Sequence, residues 1–213
     1  ITYLVWGALM YASVLDMGRL WERLLRRARV PLAYSQGFNP HPHMQFAAPL
    51  PVGYSSECEL LDIWLTEPLD AIALQRSLAA QAPEGLAIAG VVEVQMGAPA
   101  PQSHMQRARY DVCLRTAASE AEVQAALDRL LSSAALPRQR MKKGRMADYD
   151  LRPLIDRLAL LRGEDGCLHI DMLLCAGALG SGRPEEVVGA LGVDVEDLLI
   201  RRTALLWGGS EGE

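Results

Sequence analysis

No CxxC pair occurs in the 213 residues; Cys58, Cys113, Cys167 and Cys175 stand singly and far apart, so the sequence offers no paired-cysteine metal or redox signature. Three of the four fall in runs that read as apolar strands, and the expectation is buried free thiols in a reducing cytoplasm. No window approaches the roughly 20 apolar residues of a membrane span, and the opening ITYLVWGALMYA lacks a basic n-region. The chain reads as cytosolic, and Ile1 in place of Met points to a trimmed or internal start. Overall positive charge is also missing: at −5 the chain is no general coat for nucleic acid, so any anion binding has to be local. No complete catalytic or metal signature is present.

Hydrophobic residues make up 50% of the chain, enough to bury the core of one large or two ordinary domains. Residues 2 to 8 read as a short strand. Ser13 followed by Asp16 resembles a capping box, and Met17, Leu20, Trp21, Leu24, Leu25 and Ala28 then recur with the spacing of one helical face. A long irregular segment, residues 31 to 57, separates this helix from strands expected over 44 to 50 and 58 to 65. A helix opened by Thr66 and Pro68 and a strand over 86 to 94 follow. The order β-α-β-β-α-β is that of a split β-α-β, ferredoxin-like arrangement.

After the Pro/Gly/Ser-rich stretch QMGAPAPQSHMQ the pattern restarts. A strand over 110 to 115 precedes a helix with a Ser119/Glu122 capping box. Strands over 154 to 161 and 167 to 175 follow, then a helix from Pro184 to Gly192 and a last strand over 198 to 207. The expected fold is therefore α+β, two tandem ferredoxin-like lobes with antiparallel sheets: residues 1–96, a linker over 97–106, and residues 107–213.

The first helix places Arg19, Arg23 and Arg26 on the face opposite its apolar stripe, with Arg27 at the edge, and guanidinium groups suit phosphate or carboxylate. A solubilising outer face is the plain alternative. In the long loop, Tyr34 and Phe38 could stack on a flat group while Ser35, Gln36 and Asn39 meet hydrogen-bonding edges around Gly37. His41 and His43 alternate around Pro42, so an extended backbone would project both rings the same way; without a clear third ligand, no metal is assigned. His41 is a candidate acid/base. A second basic cluster, Arg138, Arg140, Lys142, Lys143 and Arg145, precedes Asp148, Asp150 and Arg152. On a ribbon it could line a nucleic-acid backbone or simply blunt a strand edge, and Asp150 is a second candidate acid/base.

Ser13-x-Leu15-Asp16, Glu22-Arg23-x-x-Arg26-Arg27-Ala28, the run Pro31 to Pro42 (PLAYSQGFNPHP) and Pro49-Leu50-Pro51-Val52-Gly53 resemble the bacterial radical SAM-linked (radical SAM-associated) domain family of unknown function. Lys143-Gly144, Asp150-Leu151-Arg152-Pro153, Arg183-Pro184 and Arg202-Thr203 extend the likeness over nearly the whole chain. The resemblance implies a radical SAM protein as partner, fused or encoded alongside, and a neighbourhood of ribosomal-protein and RNA-processing genes. This chain lacks the CxxxCxxC that would hold a [4Fe–4S] cluster, so iron–sulfur cluster and S-adenosylmethionine are expected only in the partner, with no cofactor bound here. Val14 stands where the family usually has His.

The leading expectation is an accessory protein that binds RNA (tRNA or rRNA) or another phosphorylated substrate and presents it to the radical SAM partner. Arg23, Arg26 and Arg27 would hold phosphate; Tyr34, Ser35, Gln36, Phe38, Asn39 and His41 would contact substrate; Arg140, Lys142, Lys143 and Arg152 would extend the footprint. The alternatives are a stand-alone RNA- or nucleotide-acting enzyme using His41 or Asp150, and a protein-docking module.

Overall fold

The computed structural model describes residues 1–95, 97–98, 100–142, 144–163, 167–177 and 180–207, with Lys142 described by its backbone alone. The chain divides into two compact units, Ile1–Ser103 and His104–Glu213, each with α-helices and an antiparallel sheet.

In the first unit the elements run β1 (Thr2–Val5), α1 (Val14–Arg27), β2 (Met44–Phe46), β3 (Tyr54–Ile63), α2 (Ala71–Ala79) and β4 (Leu86–Gly90). The strands lie in the order β4-β1-β3-β2, every pair antiparallel, with Val5 opposite Leu86, Thr2 opposite Leu60 and Met44 opposite Ile63. The start of α1 is set by Ser13, whose extended backbone lets its hydroxyl accept the Asp16 N–H. Met17, Trp21, Leu24 and Leu25 are buried, and Trp21 meets Tyr3 edge-on with ring centroids 4.9 Å apart. Burial of side chains this size contributes roughly 1.5–3 kcal/mol each. The helix ends where Arg29 turns left-handed (φ 55°) and Val30 N–H reaches back to the Leu25 carbonyl, just before Pro31.

Several boundaries differ from expectation, each for a local reason. β1 stops at Val5 because Gly7, at φ 60°, opens a 3-10 turn over Gly7–Tyr11. Pro49 and Pro51 lack the N–H needed to carry β2 on to residue 50. α2 starts at Ala71, capped by Asp70, because Thr66 is held outside it by two bonds to the Pro31 carbonyl. β4 ends at Gly90, opposite Thr2 at the start of β1, which leaves Val92 and Val94 exposed.

A one-turn helix, α3 (Pro101–His104), spans the boundary, and the second unit then runs β5 (Met105–Arg115), α4 (Glu120–Ser132), β6 (Pro137–Lys142), β7 (Arg145–Asp150), β8 (Ile155–Arg162), β9 (Leu168–Gly177), β10 (Gly180–Ser181), α5 (Pro184–Leu191) and β11 (Asp197–Trp207). Its sheet is ordered β11-β5-β9, with β8 and then β10 paired to β9; β6 and β7 form a separate hairpin. The Ser119/Glu122 capping box forms in full, and Gly192 closes α5 at φ 69°. Ala108, Tyr110, Val112 and Leu114 of β5 are buried, as are Val123, Ala126, Leu127 and Leu130 of α4 and Val187, Val188 and Leu191 of α5. The alternate residues of β5, Arg107, Arg109 and Asp111, belong to the opposite, polar face. β5 begins at Met105, so the expected linker over 97–106 is in part helix and strand. The expectation of four thiols is also corrected: a disulfide joins Cys113 to Cys167, while Cys58 and Cys175 stay as thiols.

Candidate anion-binding site

About two turns of α1 bring Leu20, Arg23, Arg26 and Arg27 together; with Pro83 they line an open concavity of about 480 Å³. The i, i+3, i+4 spacing of the arginines puts neighbouring guanidinium groups over one patch of helix surface. Few acids answer them. Arg26 pairs with Glu22 at 2.7 Å, and Arg19 with Asp16 at 3.4 Å. Exposed pairs of this kind are worth about 0–1 kcal/mol, too little to hold Arg26 away from a phosphate. Arg27 donates to the Gln81 carbonyl at 2.9 Å, which uses one of its N–H groups. Arg23 makes no hydrogen bond or ion pair among the described residues.

Beyond α1 the chain forms a short arm. Ala33 N–H bonds the Trp64 carbonyl and Trp64 N–H the His43 carbonyl, tying the arm's root to the end of β3. His43 N–H bonds Ala33, Tyr34 bridges Pro42, and Ser35 N–H bonds the His41 carbonyl while the Ser35 hydroxyl accepts the His41 N–H. These bonds close a loop whose tip, Ser35 to His41, is exposed throughout; the Phe38 ring projects wholly into solvent and Tyr34 is half exposed. No hydrogen bond or ion pair among the described residues joins this tip to Arg23, Arg26 or Arg27. Ala33 follows Arg27 by six positions, a reach of at most about 22 Å.

The two histidines are not brought into a shared ligand set. His43 stacks on Trp64, whereas the His41 ring has no hydrogen-bond partner among the described residues to orient it as an acid/base. Among the described residues no group of three or more His, Cys, Asp or Glu side chains is placed to hold a metal.

The second basic cluster departs further from expectation. Arg138 lies opposite Tyr149 and Arg140 opposite Ala147, and this face of the β6–β7 hairpin is half-buried; Gln139, Met141, Met146 and Asp148 form the exposed face. Arg140 stacks over Tyr149 at 4.6 Å from the ring centroid and donates to the Ser181 carbonyl at 3.4 Å. Burial first, and then Glu186, pushes the Tyr149 phenol up to about 12. Arg152 is engaged internally: its guanidinium donates twice to the Leu131 carbonyl, at 3.2 and 3.0 Å, and once to the Ile155 carbonyl at 3.0 Å. Asp150 Oδ1 accepts the backbone N–H groups of Leu136 (2.7 Å) and Arg152 (2.9 Å), which hold its carboxyl below the usual range and make it a weak base. Lys143 lies outside the described residues, and Lys142 is placed only by its backbone, opposite Arg145.

A cluster that the sequence reading missed lies on the polar face of the second unit's sheet. Asp111 contacts His169 at 2.8 Å and Arg201 at 2.6 Å; Asp171, only 6% exposed, receives both Arg109 and Arg157; Arg107 pairs with Asp156. Burial raises the Asp171 pKa, but the bonds from Arg109 and Arg157 outweigh it and hold the group low. The alternation Arg107-x-Arg109-x-Asp111 and His169-x-Asp171 was the available signal, since period two puts each set on one face. Each carboxylate here is matched by a cation, which marks a cross-strand lattice.

No curated protein matches the sequence. Among solved structures, a chain of "Crystal Structure of a Cbf5-Nop10-Gar1 Complex" is similar at 10% identity and a TM-score of 0.48, over 96% of this chain and 48% of that one. This chain thus spans about half the length of that relative. Residues 1–184 match DUF2344, described as "Uncharacterized protein conserved in bacteria", and the chain belongs to that family.

Proposed function

We propose that this protein binds RNA or another phosphorylated substrate on the arginine face of α1 and presents it to a radical SAM partner. One observation carries the binding half: Arg23, Arg26 and Arg27 line a single open concavity, and among the described residues Glu22 is the one carboxylate that forms an ion pair with any of the three. Guanidinium donates in a planar fork suited to phosphate oxygens, and the net charge of −5 concentrates attraction for an anion at this patch. The partner half rests on the likeness of the PLAYSQGFNPHP run to the radical SAM-linked domain family. Iron–sulfur cluster and S-adenosylmethionine would belong to that partner, and the setting would be the cytoplasm.

We also infer that each unit is a ferredoxin-like lobe. The orders β4-β1-β3-β2 and β11-β5-β9-β8 support this, being the same order counted within each unit, with β6–β7 an insertion in the second.

Fluorescence anisotropy with a labelled RNA oligonucleotide tests the binding half. The Arg26→Ala/Arg27→Ala variant should bind at least tenfold more weakly, and unchanged affinity would overturn it. For the partner half, the radical SAM protein should co-purify after nuclease treatment; separation of the two under those conditions would overturn it.

A further inference from the structure

We infer that the arm from Ala33 to His43 is a base-stacking element, and that the favoured substrate is single-stranded RNA with an unpaired base lying on Phe38. This rests on the phosphate reading of α1 and adds a substrate class to it.

Phe38 is one of only two phenylalanines in the chain and projects wholly into solvent, so both ring faces can receive a flat partner. The loop that carries it is closed at its base. The paired Ser35 and His41, the Tyr34–Pro42 bridge and the bonds among Ala33, His43 and Trp64 fix the arm before anything binds, which lowers the ordering cost of an encounter. Within three residues of Phe38 along the chain lie Ser35, Gln36, Asn39 and His41, all exposed and all of types that hydrogen-bond. Side-chain amides that both donate and accept match the edges of a nucleobase, whereas an apolar protein pocket would call for apolar neighbours.

The tip itself, Ser35 to Pro40, has no Lys or Arg, so it supplies stacking and edge contacts while backbone charge is met elsewhere. Arg27 lies within about 22 Å of chain from the arm's root, so one short strand can meet both elements. A duplex would keep its bases stacked on each other and could not give one to Phe38.

The test measures binding of an oligoadenylate 10-mer carrying one 2-aminopurine, and of a 10-base-pair RNA duplex, to the full chain. Phe38→Ala should weaken the single strand about tenfold and abolish the 2-aminopurine quench, Phe38→Trp should retain both, and duplex affinity should stay put. Phe38 has no core contact to lose, and an unchanged melting temperature confirms that Phe38→Ala is folded. If Arg26→Ala/Arg27→Ala weakens the single strand while Phe38→Ala does not, stacking is overturned and the phosphate reading stands. If neither variant weakens it, both fall. If Phe38→Ala leaves RNA binding intact but stops a protein partner from co-purifying, the arm is a protein-docking element and the inference is wrong.

Discussion

His43 lies flat on Trp64, with ring centroids 3.9 Å apart and planes 9° from parallel, and this stack sits where the backbone of each residue is bonded at the root of the arm. The arm is therefore braced at its root as well as cross-bonded along its length. Trp64→Ala should loosen it without melting the first unit's core, since stacked pairs of this kind add about 0.5–1.5 kcal/mol beyond the area they bury. Hydrogen exchange should show the Ser35 and His43 amides opening faster in the variant; equal protection would mean that the stack does not brace the arm.

Arg152 predicts the opposite behaviour to the arginines of α1. Its three bonds to the Leu131 and Ile155 carbonyls come from a part-buried guanidinium, so Arg152→Ala should cost about 3 kcal/mol of stability in urea unfolding. RNA affinity should not change. A variant of normal stability and weakened RNA binding would return Arg152 to the ligand surface.

How far the sequence could be read divides along this contrast. α1, the Ser119/Glu122 box and the Pro184–Gly192 helix were legible because their signals lie within a few residues: a cap, a period of 3.6, a closing glycine. Arg23 and Arg152 look alike in sequence, yet the Leu131 carbonyl that occupies Arg152 lies 21 residues away. The Asp111–His169 and Arg109–Asp171 contacts span 58 and 62 residues, so no local pattern could pair them. Within the arm, the run of aromatic and amide residues was legible as an irregular loop, but the Ser35–His41 and Tyr34–Pro42 pairings that close it were not.

Acid stability follows from the carboxylates. Asp171 and Asp150 both have pKa values held below the ordinary range, Asp171 by Arg109 and Arg157 against its burial, Asp150 by the Leu136 and Arg152 N–H groups. A depressed folded pKa means stability that is present above the unfolded value, about 4, and lost as pH falls from there toward the folded one. Urea midpoints should decline through that window, and Asp171→Asn should flatten the decline while lowering stability at neutral pH. An unaltered acid profile in Asp171→Asn would show that this ion-paired group does not govern it.

The disulfide between Cys113 and Cys167 encloses a separation of 54 residues, for which loop-closure entropy predicts about 4 kcal/mol of stabilisation. Alkylation in denaturant followed by mass spectrometry should find two adducts without reductant, at Cys58 and Cys175, and four with it. Four adducts in both samples would show the pair to be thiols in the isolated protein.

The most direct test of the central claim is the salt dependence of single-stranded RNA binding to the intact chain and to Arg23→Ala/Arg26→Ala/Arg27→Ala. Each phosphate contact to a single strand contributes about −0.7 to the slope of log Kobs against log salt, so loss of three should make the slope shallower by about two and weaken binding most at low salt. A variant with the intact chain's slope would contradict a phosphate site on α1.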